Sequence, residues 1–231
     1  MVTLNAREGH DAEVRRDGVE LLATATRALA DAVAVTAVDR ATLDEITGTL
    51  ELLTHRLLVE TDDDGYSGLL VLPVDPVRPE TFMPLNPIIG HCSPSRPDVT
   101  LRITEDAVVG TATFTRRFVG PAGHAHGGIS AMLADQLVAA APMAIGVRTV
   151  TKSLTLRYLR ALPIDEEVEL WGVCTPDGEQ YKAKFEVRAR GEIAVAGTGV
   201  LVPYQNLAKR AGITREGKES GRAGVAKRGG G

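Results

Sequence analysis

The sequence predicts an α+β fold in which a curled antiparallel β-sheet wraps around one central apolar helix. Six strand-like segments accompany one helical segment in the order β-β-α-β-β-β-β. The helical segment, residues 129–141, is apolar on every side, which in a soluble protein indicates a helix enclosed by other structure. Two strands before it and four after it enclose such a helix only if their sheet curls. Pro142 is expected to end the helix or kink its last turn.

Alternation of apolar and polar residues predicts the strands. From Val99 onward the alternation is interrupted at Glu105 and Asp106, as in a β-hairpin. Four further strands and their turn residues follow: 149–160, 166–174, 181–190 and 193–203, with turns at Leu162-Pro163, at Pro176-Asp177-Gly178 and at Gly191.

The N-terminal part of the chain is different in character. Apolar residues at three- and four-residue steps between positions 12 and 59 predict two amphipathic helices, which the polar residues 39–43 are expected to turn into a hairpin. The following segment is rich in Asp, Gly and Pro, which disfavours a regular helix or a central strand and predicts an extended arm. The predicted organisation is a helical extension (1–60), a proline-rich connecting arm (61–97), the curled-sheet domain (98–205) and a disordered basic tail (206–231).

Composition excludes several classes of protein. A net charge of -4 and a pI near 5.8 give no basic surface for nucleic acid. The polar N-terminus lacks the apolar core of a signal peptide, and no later stretch is expected to reach the length of a bilayer span. We therefore expect a cytoplasmic protein without integral membrane association. Cys92 and Cys174 have no metal-ligand spacing around them and are predicted to be free, buried thiols.

Asp135 is the only charged residue between His126 and Arg148. A carboxylate on a buried helix is costly unless it has a partner or a function. Asp135 is thus a candidate acid or base. The alternatives are a solvent-facing residue at the helix edge and a cap of a neighbouring turn, and composition alone does not choose between them.

The segment GPAGHAHGG, residues 120–128, leads directly into this helix. Its glycines allow close backbone approach, and the first amides of a helix point outward at the positive end of the helix dipole. These amides could hold an oxyanion. An ordinary glycine-rich turn is the alternative. A second alternative is a metal site at His124 and His126, although no other candidate ligand lies at a suitable spacing in the sequence.

The segment HGGISAMLAD, residues 126–135, resembles the signature of hotdog-fold acyl-CoA thioesterases of the PaaI-like and THEM types. In that family an HGG turn precedes a catalytic Asp at this spacing. The segment TVTKSLTLRYLRALP, residues 149–163, is similar to the family's next strand, and the resemblance spans residues 85–203. It implies the hotdog fold and hydrolysis of an acyl-CoA thioester to free acid and CoA, with no metal and no cofactor.

The resemblance also implies roles for individual residues. Asp135 would be the nucleophile or general base, Gly127 together with Gly128 would offer the oxyanion amides, and His126 would orient the turn and the carbonyl. Thr151 falls where the family often has a Ser or Thr that positions the attacking water. Its alternative is an ordinary β-branched strand residue.

The implied assembly is a homodimer, or a dimer of dimers, in which two sheets pair edge to edge. Each HGG turn would then lie beside Asp135 of the other subunit, with pantetheine threading between subunits. Lys152, Arg157 and Arg160 are candidates for binding the CoA phosphates, unless they form only a solvated strand face. Some relatives carry an Asn six residues before the HGG histidine. This chain has Gly120 there, so that contribution is absent.

Two other functions fit the same fold less well. Hotdog hydratases use an Asp followed a few residues later by a His, but no histidine follows Asp135 in this chain. A non-catalytic acyl-CoA-binding module is possible because a fold does not determine a function. The combination of Asp135 with Thr151 favours catalysis over simple binding.

Overall fold

The computed structural model describes residues 6–61, 75 and 79–204. The predicted basic tail and most of the first half of the arm lie outside these residues. The helices and strands are α1 (Ala6–Val35), α2 (Arg40–Leu57), β1 (Asp98–Ile103), β2 (Ala107–Thr113), α3 (Gly127–Ala140), β3 (Thr149–Tyr158), β4 (Glu167–Asp177), β5 (Gln180–Ala189) and β6 (Glu192–Pro203).

The strands form one six-stranded antiparallel sheet in the order β1-β2-β4-β5-β6-β3. The predicted element order is therefore confirmed, and β1 and β3 are the edge strands. The predicted turn at Pro176 and Asp177 is wrong by two residues, because β4 continues through Asp177. The turn starts instead at Gly178, whose φ of 63° is accessible to glycine at little cost.

Helix α3 packs on the curled sheet through one face. Leu133, Leu137 and Val138 of that face are fully buried. A Cβ at Gly199 of β6 would lie only 3.0 Å from the Val138 Cβ, so the glycine allows the helix to approach the strand closely. Helix α3 ends at Ala140, and Pro142 lies in the short 3-10 helix Ala141–Ile145 that follows. The predicted arrangement of a curled antiparallel sheet around a central apolar helix is confirmed.

The opposite face of α3 is not covered by any of the described residues. Gly128, Met132 and Asp135 are exposed, and they follow one another at four- and three-residue steps. The expectation of a helix enclosed on every side therefore holds only for the sheet side of a single chain. This exposed face makes α3 open to contact with a second molecule.

The expectation that no apolar stretch reaches the length of a bilayer span is wrong. The segment Gly127–Ile145 has a mean hydropathy of 1.4 over 19 residues, which is long and apolar enough to cross a membrane by length and composition. In this fold the segment is the central helix and its 3-10 continuation. The apolar run is explained by packing against the sheet.

The described half of the arm is part of the core. Phe82, Ile88 and Ile89 are buried, so apolar residues of this segment cover a surface of the domain. The Asn86 side chain accepts hydrogen bonds from the N–H groups of Ile88 and Ile89 at 2.9 and 3.1 Å. Its amide donates to Gln136 Oε1 at 2.8 Å and so joins the arm to α3.

Helix α1 docks onto the domain through polar side chains. The Arg27 guanidinium donates to the carbonyl oxygens of His91 at 3.3 Å and Ser93 at 2.8 Å. The Asp31 carboxylate accepts from Thr115 Oγ1 at 2.6 Å and pairs with Arg117 at 3.2 Å. Many of the apolar residues whose spacing predicts the helix are exposed instead: Val14, Leu21, Leu22 and Val33.

Helix α2 is connected to α1 by residues 36–39 rather than by the predicted turn at 39–43. Asp39 is the N-cap of α2 and accepts from the Thr42 N–H at 2.9 Å, so most of the predicted turn forms the first turn of the helix. No side chain of α2 is buried. Two N-terminal helices are confirmed, but they do not close into a packed hairpin.

Both cysteines are free and buried, as predicted. Burial, with a smaller contribution from the negative charge of Glu20, raises the pKa of the Cys92 thiol to about 11. Burial also raises the pKa of Cys174. Since the thiolate is the reactive form, neither side chain is suited to nucleophilic chemistry.

We predict that Arg27→Met lowers the free energy of unfolding by about 1–3 kcal/mol, because two partly buried carbonyls lose their donor. Urea denaturation measures the change. Arg40→Met is the control, since its exposed pair with Asp44 should contribute only about 0.5 kcal/mol or less. Equal losses in the two variants would show that α1 is not held by Arg27.

Candidate functional site

Backbone hydrogen bonds close the turn that leads into α3. The His126 N–H donates to the Phe118 carbonyl at 2.9 Å, and the Gly120 N–H donates to the His124 carbonyl at 2.6 Å. Val119 and Ala125 form an isolated antiparallel bridge between these bonds. The chain on both sides of the loop is therefore fixed before the helix begins.

His126 is the N-cap of α3. Its Nδ1 accepts the Gly128 N–H at 2.9 Å, so the proton of the neutral imidazole lies on Nε2. In the part of the chain that the structure describes, the Gly127 N–H has no acceptor. Of the two amides expected from the sequence, one is thus occupied by the cap and one is open at the positive end of the helix dipole.

The structure explains why no side chain stands at position 120. A Cβ added to Gly120 would lie 2.8 Å from the His126 Cα and 3.1 Å from its nitrogen. An asparagine at this position would push the loop away from the N-cap. The absence of the Asn found in some relatives is therefore a steric requirement of this loop.

Asp135 lies on the exposed face of α3, two turns after Gly128. Within the described residues its carboxylate has no hydrogen-bond or ion-pair partner. Asp135 is thus not a desolvated carboxylate in the single chain, where its position matches the solvent-facing alternative. Its carboxylate is free to meet a substrate or a second subunit.

Thr151 lies on the edge strand β3, half-buried and opposite Leu201 of β6. The β3–β6 register shifts immediately after it, at Lys152. Helix α3 packs against β3, so Asp135 and Thr151 lie on neighbouring elements. No hydrogen bond joins the two within the residues described.

The three basic candidates differ in their surroundings. Lys152 and Arg157 are exposed and have no ion-pair partner in the described ranges. Arg160 is held by a two-point contact with Glu192, from Nε to Oε2 at 2.8 Å and from Nη2 to Oε1 at 3.0 Å. Lys152 and Arg157 are therefore available to an anion, while Arg160 is already neutralised.

Tyr158, at the end of β3, was not expected as a site residue. Its hydroxyl donates to the Gly127 carbonyl at 2.8 Å, on the same turn that exposes the Gly127 N–H. The turn and the end of β3 line a cavity of about 360 Å³, to which Ser130 and Leu162 also contribute. The only signal in the sequence is a tyrosine at the end of a basic strand, which alternation alone assigns no role.

Comparisons with known proteins agree with this geometry. The thioesterase superfamily matches residues 122–179, which contain the HGG turn and α3. The crystal structure of a thioesterase superfamily protein is 26% identical, with a TM-score of 0.68. The similarity covers 80% of this chain and 94% of that one. The resemblance to hotdog-fold thioesterases is confirmed.

Two smaller structures overlap with less of the chain. A hypothetical thioesterase from Streptococcus pneumoniae, solved with coenzyme A, is 21% identical with a TM-score of 0.44, covering 46% of this chain and 89% of its own. PaaI of E. coli, from the phenylacetic acid degradation operon, is 18% identical with a TM-score of 0.43, covering 46% and 78%. A search of curated proteins finds no match.

The first of these structural matches extends beyond the hotdog domain. Residues 79–204 make up little more than half of the sequence, whereas the match covers 80% of it. The similarity to that relative therefore extends beyond residues 79–204. Together with the superfamily match, this similarity supports thioesterase-type activity.

We predict that Tyr158→Phe lowers kcat for thioester hydrolysis by about three- to tenfold with little change in KM, because one hydrogen bond that holds the HGG turn is lost. Steady-state kinetics measures both constants. Tyr204→Phe is the control, since Tyr158 and Tyr204 have the same exposed fraction, 56%. If both variants kept the parental kcat, the Tyr158 hydroxyl would have no part in positioning the turn.

Proposed function

We propose that this protein hydrolyses an acyl-CoA thioester to a free acid and CoA. The observation that carries the proposal is the open Gly127 N–H at the start of α3, on a turn that the His126 cap and the Tyr158 hydroxyl hold in place. A fixed N–H donor at a helix N-terminus is suited to stabilising the oxyanion of a tetrahedral intermediate. His126 Nε2–H offers a second donor for the same carbonyl.

Asp135 supplies the nucleophile or the general base. As nucleophile, its carboxylate attacks the thioester carbonyl, the CoA thiolate leaves, and water then hydrolyses the resulting anhydride. As general base, it takes a proton from a water that attacks the carbonyl directly. Thr151 positions that water. Either route yields the free acid and the thiol of CoA without a metal or a redox cofactor.

The geometry favours a site shared by two copies of the chain. Gly127 and Asp135 are eight residues apart on one helix, which separates them by about 12 Å along its axis. One thioester carbonyl cannot contact both within a single chain. A homodimer that pairs the open β3 edges could place Asp135 of one copy beside the HGG turn of the other.

The exposed cations of β3 are suited to the nucleotide end of CoA. Lys152 and Arg157 are free to bind phosphate, whereas Arg160 would first have to leave Glu192. We assign the first two to the CoA phosphates and give Arg160 a lesser part. We also propose that the protein is cytoplasmic, because its proposed substrates are acyl-CoA esters.

The second candidate function is a non-catalytic acyl-CoA-binding module. The observation that favours it is the lack of any described partner for the Asp135 carboxylate, which leaves the residue without an activating contact in the single chain. A binding module would retain acyl-CoA unchanged. Release of free CoA thiol from a panel of acyl-CoA esters separates the two functions directly.

We predict that Asp135→Asn lowers kcat for acyl-CoA hydrolysis by about 10²- to 10⁴-fold while the dimer stays folded, because the amide keeps the shape of the side chain but loses the nucleophile or base. Thiol release and circular dichroism measure the two properties. Asp106→Asn, in the β1–β2 turn, is the control and should behave as the parent. Unchanged turnover in Asp135→Asn would contradict the proposed chemistry.

We predict that Thr151→Ala lowers kcat by about three- to tenfold with little effect on KM, because the position of the attacking water matters mainly in the transition state. Thr155→Ala is the matched control, a threonine further along the same strand that is exposed. A parental kcat in Thr151→Ala would show that Thr151 is only a β-branched strand residue.

A further inference from the structure

Helix α2 carries an apolar stripe that no other described part of the chain buries. The stripe, called here the α2 seam, consists of residues at alternating three- and four-residue steps: Leu43, Ile46, Leu50, Leu53 and Leu57. This spacing places the five side chains on one face, in the pattern of a helix that packs along another helix. None of them is buried, and Leu53 keeps 46% of its surface exposed.

The positions beside the seam are threonines whose hydroxyl groups are already bonded. Thr47, Thr49 and Thr54 each donate to the carbonyl four residues earlier, at 2.8, 3.1 and 2.8 Å. These local bonds satisfy the hydroxyls, so the methyl groups are available for contact. The threonines therefore widen the apolar stripe instead of bordering it with polar groups.

Charge is nearly absent from the flanks of the seam. The acidic residues Asp44, Glu45 and Glu51 occupy other positions of the heptad pattern, and Arg56 alone lies beside the seam, near its C-terminal end. Two copies of α2 can therefore approach seam to seam without opposing rows of like charge. A two-fold interface requires such a self-complementary surface.

The helix also lacks other sources of stability. The N-cap at Asp39 and the exposed Arg40–Asp44 pair each typically stabilise such a helix by about 1 kcal/mol or less. An 18-residue helix is only marginally stable alone in water, and packing of an apolar face normally supplies the rest. A partner for the α2 seam is thus expected on energetic grounds.

We propose that the α2 seam packs against the α2 seam of a second copy of this chain. The helix is about 27 Å long. Each copy contributes five seam side chains. Together these ten side chains would bury on the order of 1,000 Å² or less, below the roughly 1,200 Å² of a stable specific interface. The seam therefore adds to another contact between the same copies, for which the open β3 edge is available.

The position of Leu50 makes the proposal testable. Leu50 is the middle residue of the seam, so parallel two-fold packing, or antiparallel packing centred on the seam, brings it beside Leu50 of the other copy. Leu52 is the matched control, because it is a leucine of the same helix that lies off the seam and is 68% exposed. The native cysteines are buried and give little background.

The first experiment is oxidative cross-linking of the full-length chain carrying Leu50→Cys or Leu52→Cys. Disulfide-linked dimers should form roughly a hundredfold faster with Leu50→Cys, because side chains held together have an effective concentration near millimolar against about 10 µM in solution. Non-reducing electrophoresis measures the rates. Equal rates in the two variants, or no cross-link at position 50, would overturn the proposal.

The second experiment measures the dissociation constant of the parental assembly by sedimentation equilibrium, with Leu53→Lys compared with Leu52→Lys. Leu53→Lys should raise the constant at least about tenfold, because both copies lose a central leucine of the seam. Leu52→Lys should leave it unchanged. Circular dichroism checks that the two variants are equally helical.

The outcomes also separate other occupants of the seam. A weaker assembly in Leu53→Lys without cross-linking at position 50 would assign the seam to a different part of the second copy. A parental dissociation constant in Leu53→Lys, together with equal cross-linking rates in the two cysteine variants, would assign the seam to another partner. One such partner is the set of apolar residues 69–74 of the same chain, which lie outside the described residues. Either result overturns packing of seam against seam. Neither readout depends on thioester turnover.

Discussion

The N-cap of α3 is the contact on which the arrangement of the site depends. Because the cap is the imidazole of His126, it uses the Gly128 N–H and leaves the preceding amide open. Backbone hydrogen bonds close the loop before the cap, and the Tyr158 hydroxyl of the edge strand β3 donates to the Gly127 carbonyl. A short stretch of main chain is thereby fixed from three directions. The proposed oxyanion site needs little reorganisation for this reason.

Much of the fold could be predicted from the sequence. Alternation of apolar and polar residues along β4 and β5 matches their burial pattern, and the apolar composition of α3 matches its central place. The end of β4 could not be read correctly, because Pro176 suggests a turn although it pairs with Tyr181 in the ladder. The left-handed conformation at Gly178 decides the turn instead.

The candidate site was predictable only where a motif names its residues. His126, Gly127 and Asp135 stand out because their spacing resembles a known signature, and the structure places two of them at the capped turn. The exposure of Asp135 was not predictable, since it depends on whether a second chain covers α3. Tyr158 gave no pattern, because its role arises from a contact 31 residues away in sequence.

The docking of α1 shows why periodicity alone does not identify a buried face. Arg27 secures the helix by binding main-chain oxygens of His91 and Ser93, not their side chains. Every amino acid supplies such an oxygen, so replacements at positions 91 and 93 would preserve both acceptors. An inserted or deleted residue in this stretch would displace the oxygens themselves. The Arg27 contact itself should therefore tolerate replacements at positions 91 and 93 but resist any change in the length of this stretch.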